Sequence, residues 1–524
     1  MLTENGTECL LVHYASQKLH INMLLSVLRH GLSSPKSSPL LLGLRTRTAH
    51  HPSPTAQSCK KKDVPLHPVV RECAHASIVV YNSESTSAHS THSLLFHWLA
   101  CLEVLHILYT RTMINYQLHT LSNGLSLITH QDKSTPMVTV NLLYGVGARD
   151  EQPSHTGFAH LFEHLMFGGS EHVSNFDQHV NNAGGESNAS TNNDFTNYYI
   201  TVPAQYLETA LWLESDRMRS PAFTPEVLRV QKQVVTEEYH QRYINQPYGD
   251  VWLHLRPLCY QVHPYRWCTI GSDIAHVQQA TLDEVWAFFH TFYVPTNATL
   301  SIAGNIDHDR ALQLAEKWFG DIAPGNPPQR NLPVEPPQNE PRSLTLHRNV
   351  PSNAIYMAFH ICERTHPDFH TYDLLTDLLS NGKSSRMYNR LVKQSGLFID
   401  ADAYITGDVD PGLLIVGGKL TDGTDVDTAC RALWDELNRL RDEAVPADEL
   451  QKVIGKAESS FVQSQYKVAD RAATLCYLHR IGHLEWINNE LDRYTRITAA
   501  DVQRTACSCL RPDNCSTLLY LQAH

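Results

Sequence analysis

A weak internal repeat constrains the architecture of this chain more than any other feature. Thr281, Val285, Pro295 and Asn297 recur as Thr498, Val502, Pro512 and Asn514, all four at the same offset along the chain. Both copies, T-L-D-E-V-W-A-F-F-H-T-F-Y-V-P-T-N and T-A-A-D-V-Q-R-T-A-C-S-C-L-R-P-D-N, read as a capped helix, a proline-bearing turn and then a strand. Between them, Ala323 to Pro341 is proline-rich and reads as an extended linker. Two related α+β domains are the simplest layout. Their expected bounds are 113–322 and 346–524, joined by a linker over 323–345.

Only the first half carries a metal-binding pattern. His160, Glu163 and His164 form H-L-F-E-H. On a helix, residues four apart share a face, so the two imidazoles can meet one ion, with the residue at the third position beside it. Zinc in a hydrolytic site takes three protein ligands and leaves a fourth position for water, so a third ligand is required. A carboxylate would serve, and Glu238 lies well downstream of His164 in V-V-T-E-E-Y-H. The surroundings suit a buried helix. Met137 to Gly147 reads as a strand ending in glycines, Leu161 to Phe167 places apolar residues at helical spacing, and Gly168-Gly169 reads as a stop.

These residues resemble the pitrilysin/insulinase-type zinc peptidases, which carry the inverted H-x-x-E-H motif. The resemblance runs through G-A-R-D-E (Gly147 to Glu151), T-G-F-A-H-L-F-E-H-L-M-F-G-G-S (Thr156 to Ser170) and G-G-E-S-N-A-S-T-N-N-D-F-T-N-Y-Y (Gly184 to Tyr199). It continues in W-L-E-S-D-R-M (Trp212 to Met218), V-Q-K-Q-V-V-T-E-E (Val230 to Glu238) and N-Q-P-Y-G-D (Asn245 to Asp250), and extends over most of residues 113–524. The short two-domain branch, with mitochondrial processing peptidase beta and its bacterial homologues, is the nearest in layout.

The resemblance implies an α+β fold of two homologous domains, each a mostly antiparallel sheet with helices packed on one face. It makes His160, His164 and Glu238 the ligands of one zinc ion per chain, with Glu237 as the alternative to Glu238, and makes Glu163 the general base. Where many members have a glutamate seven positions before the distal ligand, this chain has Gln231, an amide expected to support that ligand by hydrogen bonding. Asn188, Ala189 and Ser190 match the edge strand on which the family lays its substrate, so strand addition and broad sequence tolerance are expected. The implied activity is endopeptidase cleavage of short or unfolded peptides. The alternatives are a non-catalytic partner subunit and a peptidase that processes targeting segments. Because the family's active particle encloses its substrate with four such domains, a homodimer or a heterodimer with a homologous chain is implied.

Composition narrows the remaining classes. Of the 42 Lys/Arg and 54 Asp/Glu, the segment 1–112 carries ten and six, which leaves 32 against 48 in the rest. An acidic body argues against nucleic-acid binding. Ser93 to Thr110 is marginal in length and holds His97, Glu103 and His106, so no membrane span is expected. Residues 1–112 hold eleven of the 31 histidines and no sustained periodicity, and read as a poorly structured extension. The natural start is expected at or near Met113. Gly382, Lys383, Ser384 and Ser385 miss the phosphate-loop spacing at its first glycine. Twelve cysteines without a C-x-x-C pair read as mostly reduced thiols, which favours the cytoplasm and leaves periplasmic or organellar locations open.

Overall fold

The two copies of the repeat occupy equivalent places in two sheets. The computed structural model describes residues 113–326 and 328–523, and the expectations for residues 1–112 lie outside them. The first half runs through β1 (Gln117–Thr120), β2 (Ser126–Gln131), β3 (Met137–Tyr144), α1 (Phe158–Leu165), α2 (Phe176–Asn182), β4 (Glu186–Thr191) and β5 (Thr196–Pro203). It continues with α3 (Leu207–Arg219), α4 (Pro225–Tyr239), α5 (Val251–Cys259), α6 (Ile274–Gln279), α7 (Leu282–Phe292), β6 (Ala298–Gly304) and α8 (His308–Phe319). The second half has β7 (Arg342–Arg348), β8 (Ala354–His360), α9 (Phe369–Ser380), β9 (Phe398–Ile405), β10 (Leu413–Leu420) and α10 (Val426–Asp442). It ends with α11 (Ala447–Ser464), α12 (Val468–Arg480), α13 (Trp486–Thr495), α14 (Ala499–Cys509) and β11 (Cys515–Gln522).

Strand order is β1-β2-β6-β3-β5-β4 in one sheet and β7-β11-β8-β10-β9 in the other. Each sheet is antiparallel apart from one parallel pair, β2 with β6 and β7 with β11, so the two match strand for strand once β1 is set aside. This is the α+β, two-domain architecture expected from the sequence.

The repeated residues do the same physical work in both halves. Thr281 and Thr498 each close a capping box, with Glu284 and Asp501, which satisfies the free N–H groups at the start of α7 and α14. Val285 and Val502 are fully buried in their respective cores. Pro295 and Pro512 open short 3-10 turns. The buried Asn297 amide donates to Phe292 O at 2.9 Å and Gly145 O at 3.2 Å; that of Asn514 donates to Cys509 O at 2.9 Å and His360 O at 3.1 Å. Each asparagine therefore ties the end of a helix to the end of a neighbouring strand.

Alternation along the strands divides each sheet into two faces. In the first, Val138, Val140, Leu142 and Tyr144 point with Ile200 and Ile302 into a core shared with the helices of that half. Burying each of the aliphatic side chains among these contributes about 1.5–3 kcal/mol. The opposite face carries Thr139, Asn141 and Thr299 and is covered by α12, a helix from the second half, through Ala303, Val468 and Ala472 and through Ile128, Leu475 and Leu478. Cys476 of that helix approaches Asn141 O at 3.7 Å and Thr299 O at 3.4 Å.

The exchange is reciprocal. Val251, Leu255 and Cys259 of α5, from the first half, pack on Ala358, Leu413, Ile415 and Leu518 of the second sheet. Each sheet is thus packed by its own helices on one face and by a helix lent by the other half on the second. The described residues of the proline-rich stretch have no regular secondary structure, yet Glu335 fastens it by accepting from the backbone N–H groups of Gln261, Val262 and His263. Strand β7 begins at Arg342, so the extended segment ends earlier than residue 345. Among the described residues, no helix is long and apolar enough to cross a membrane, and eight cysteines stand as free thiols.

Candidate metal centre

Helix α1 is held at its start by two local devices. Gly157 precedes it at φ 87°, and a Cβ there would come within 2.7 Å of Ile270 O, so glycine is the residue this turn accommodates. The buried Glu151 carboxylate accepts from Gly157 N at 2.9 Å and Ala159 N at 2.8 Å, satisfying donors that the helix leaves free. Phe158, Leu161, Phe162 and Leu165 face the core. That orientation turns His160, Glu163 and His164 towards the sheet edge and towards α4.

Glu238 lies near the end of α4, which Thr224 caps and Pro225 opens. Its Oε2 is 3.3 Å from His164 Nε2 and 3.6 Å from His160 Nε2. The ring centroids of the two histidines are 4.9 Å apart at 89°. One donor atom from each of His160, His164 and Glu238 falls within 4.8 Å of the others, and this is the only such cluster among the described residues. Their side chains are 12, 25 and 16% exposed, which leaves solvent access at one side. Glu237, the alternative, is exposed and outside the cluster.

Electrostatics favour cation binding. Burial pushes His160 down to about 4, so its imidazole is neutral near pH 7, as a ligand must be. The hydrogen bond from His164 holds the Glu238 carboxyl below its ordinary value. Burial raises the Glu163 carboxyl, and the nearby Thr191 hydroxyl acts against that rise. Among the described residues, His160 Nδ1 is buried without a hydrogen-bond partner. Two imidazole nitrogens and one carboxylate oxygen facing a common point, with an exposed side, suit zinc.

The remaining expected residues are placed as follows. Asn188, Ala189 and Ser190 lie in β4, which among the described residues ends the sheet and pairs with β5 alone, Asn188 opposite Tyr199 and Ser190 opposite Asn197. Gln231 lies earlier on α4, half-buried, and among the described residues makes no hydrogen bond to His160, His164 or Glu238. The contact expected of it comes from Arg242, whose Nη1 is 2.9 Å from Glu238 Oε1. The one sequence signal for Arg242 is its position a helical turn after the ligand. Thr191 and the cap made by Glu151 have no comparable signature in the sequence.

Known proteins share both the fold and these segments. The family described as Insulinase (Peptidase family M16) matches residues 126–252, and the Peptidase M16 inactive domain matches residues 279–456. The chain belongs to the insulinase family of peptidases. The family's zinc protease PqqE of Helicobacter pylori is 27% identical over 417 residues, covering 77% of this chain and 92% of that protein. The uncharacterized zinc protease YmxG of Bacillus subtilis is 24% identical, covering 71 and 91%. The crystal structure of a protease from Helicobacter pylori superposes with a TM-score of 0.73 at 25% identity, over 78% of this chain and 100% of that one. Within the family fold, residues 279–456, which match the inactive domain, contain no second metal cluster among the described residues.

Proposed function

We propose that this peptidase-family member is a zinc-dependent endopeptidase that cleaves short or unfolded peptides. The observation that carries the reading is the convergence of His160, His164 and Glu238 within 4.8 Å, with Glu163 on the same helix as the two histidines. Those three residues would hold the ion. When bound, zinc supplies Lewis-acid polarisation of the scissile carbonyl and acidifies water beside it. Glu163, its carboxyl raised by burial, accepts a proton from the attacking water and passes it to the leaving amine. The free edge of β4 offers backbone N–H and C=O groups to an extended peptide, which selects for substrates without tertiary structure. Relatives called zinc proteases support the same chemistry. Under this reading the working particle is a homodimer, or a heterodimer with a homologous chain, that encloses the peptide.

Hydrolysis of a mixed set of unstructured peptides, with and without a chelator and beside Glu163→Gln, tests the proposal. Chelator-sensitive cleavage absent from the variant is the expected result. A chain that binds no zinc and cleaves nothing would instead be a non-catalytic partner subunit. Cleavage confined to targeting segments would narrow the reading to a processing peptidase.

A further inference from the structure

The turn that follows β4 is fastened to the second half of the chain. Residues 192–195 join β4 to β5, and residues 406–412 join β9 to β10. Strands β4 and β9 are corresponding edges of the two sheets, and the tips of their hairpins meet.

At that junction the Asp194 carboxylate is 5% exposed and fully engaged. It accepts from Tyr265 Oη at 2.5 Å and from Val409 N at 3.0 Å, and pairs with Arg149 Nη1 at 3.0 Å. The same guanidinium reaches Asp410 Oδ2 at 2.8 Å. Beside it, Asn193 Nδ2 donates to Asp408 Oδ1 at 2.6 Å. The Arg149 and Ala148 backbone N–H groups donate to Asn193 O and Asn192 O. Arg149 pairs with both Asp194 and Asp410, whereas, among the described residues, Asp408 is held through Asn193 alone and its Oδ2 has no hydrogen-bond partner; these bonds fix the geometry of the turn from both halves at once.

Immediately before this turn stands Thr191, the last residue of β4, whose hydroxyl donates to the Thr196 hydroxyl across the hairpin at 3.5 Å. The junction therefore sits at one end of the strand edge proposed to take peptide. We infer that Asp194 and Asn193, held by Arg149, Asp408 and Asp410, are positioning residues that set the β4 edge for peptide binding. This rests on the peptidase reading of the metal centre. A shift of about 1 Å in a positioning element costs about a hundredfold in rate, which gives a purpose to a charged junction at a place where apolar packing would hold the halves together.

The test uses the full-length chain in a Glu163→Gln background, which leaves bound peptide uncut. Anisotropy measures binding of a labelled unstructured peptide to the background alone and with Asp194→Asn, Asn193→Ala or Asp408→Ala added, alongside zinc content and thermal midpoint. Each junction variant is expected to keep its zinc and to bind peptide about tenfold more weakly. Asn193→Ala and Asp408→Ala together should weaken binding no more than either alone, because both remove the same bond. A merely structural role would lower the thermal midpoint and leave affinity unchanged. Should Asp194→Asn not fold, the Asn193 and Asp408 variants, which spare the ion pairs of Arg149, carry the test. Folded, zinc-loaded variants with the background's affinity would overturn this inference and leave the peptidase reading standing; a zinc-loaded background that binds no peptide even with a homologous partner chain present would overturn both.

Discussion

Arg242 Nη1 lies 2.9 Å from Glu238 Oε1, the carboxylate oxygen turned away from the two histidines. One helical turn after its partner, this arginine leaves Oε2 facing the imidazoles and fixes the carboxylate plane. Partners that orient a ligand in this way are typically worth tenfold or more in metal affinity. Arg242 is 70% exposed, so the lower end of that range applies. Arg242→Ala is expected to bind zinc about tenfold more weakly in competition with a chromogenic chelator, with turnover restored at saturating zinc. Unchanged zinc affinity would remove Arg242 from this role.

Glu163→Gln should keep its zinc, because the three ligand side chains are untouched. Turnover should fall by about a hundredfold to ten-thousandfold, the span associated with general-base catalysis. Metal analysis and peptide assay on one preparation check both halves of the statement.

Glu238 and Glu237 are adjacent, yet only Glu238 faces the histidines. Glu238→Ala is expected to lose zinc on gel filtration while Glu237→Ala retains it. The opposite pattern would move the ligand to Glu237.

Much of this centre is legible in the sequence because its chemistry depends on short helical spacing. H-L-F-E-H puts two imidazoles on one face whatever the rest of the chain does. The choice of Glu238 over Glu237 comes from resemblance, since neighbouring residues on a helix differ in direction by a rotation that only the tertiary fold orients. Family spacing assigns support of that ligand to Gln231, and the contact falls instead to Arg242, a closer neighbour on the helix surface. The exchange of α5 and α12 between the halves is not legible at all. An amphipathic helix announces that it covers an apolar surface, and it does not say which sheet supplies that surface. For the same reason the junction of Asp194 with Asp408, Val409 and Asp410 stays hidden, because its two sides come from opposite halves of the chain.

The metal-free chain should lose stability on acidification through His160. Its imidazole titrates near 4 when folded and near 6.5 when unfolded, so between these values the unfolded chain binds the extra proton. That contribution is fully present above about pH 6.5 and is lost as pH falls towards 4, amounting to about 3 kcal/mol. Urea denaturation of metal-free protein across this range should be less pH-dependent in His160→Gln than in the parent. Equal slopes would contradict the assignment of His160 as a neutral buried imidazole.

Gly157→Ala should destabilise the start of the metal-bearing helix. The position has φ 87°, and the added carbon meets Ile270 O at 2.7 Å. A loss of about 2 kcal/mol is expected from the backbone conformation and the clash together, read as a lower urea midpoint. A midpoint equal to the parent's would show that the turn relaxes freely.

Titrating zinc into the metal-free chain while following hydrolysis of an unstructured peptide tests the central claim most directly. Activity should rise from zero in proportion to added metal and level off at one zinc ion per chain, as a single site made by His160, His164 and Glu238 requires. Hydrolysis that proceeds without zinc, or that never appears although one ion per chain is bound and a homologous partner chain is present, would contradict it.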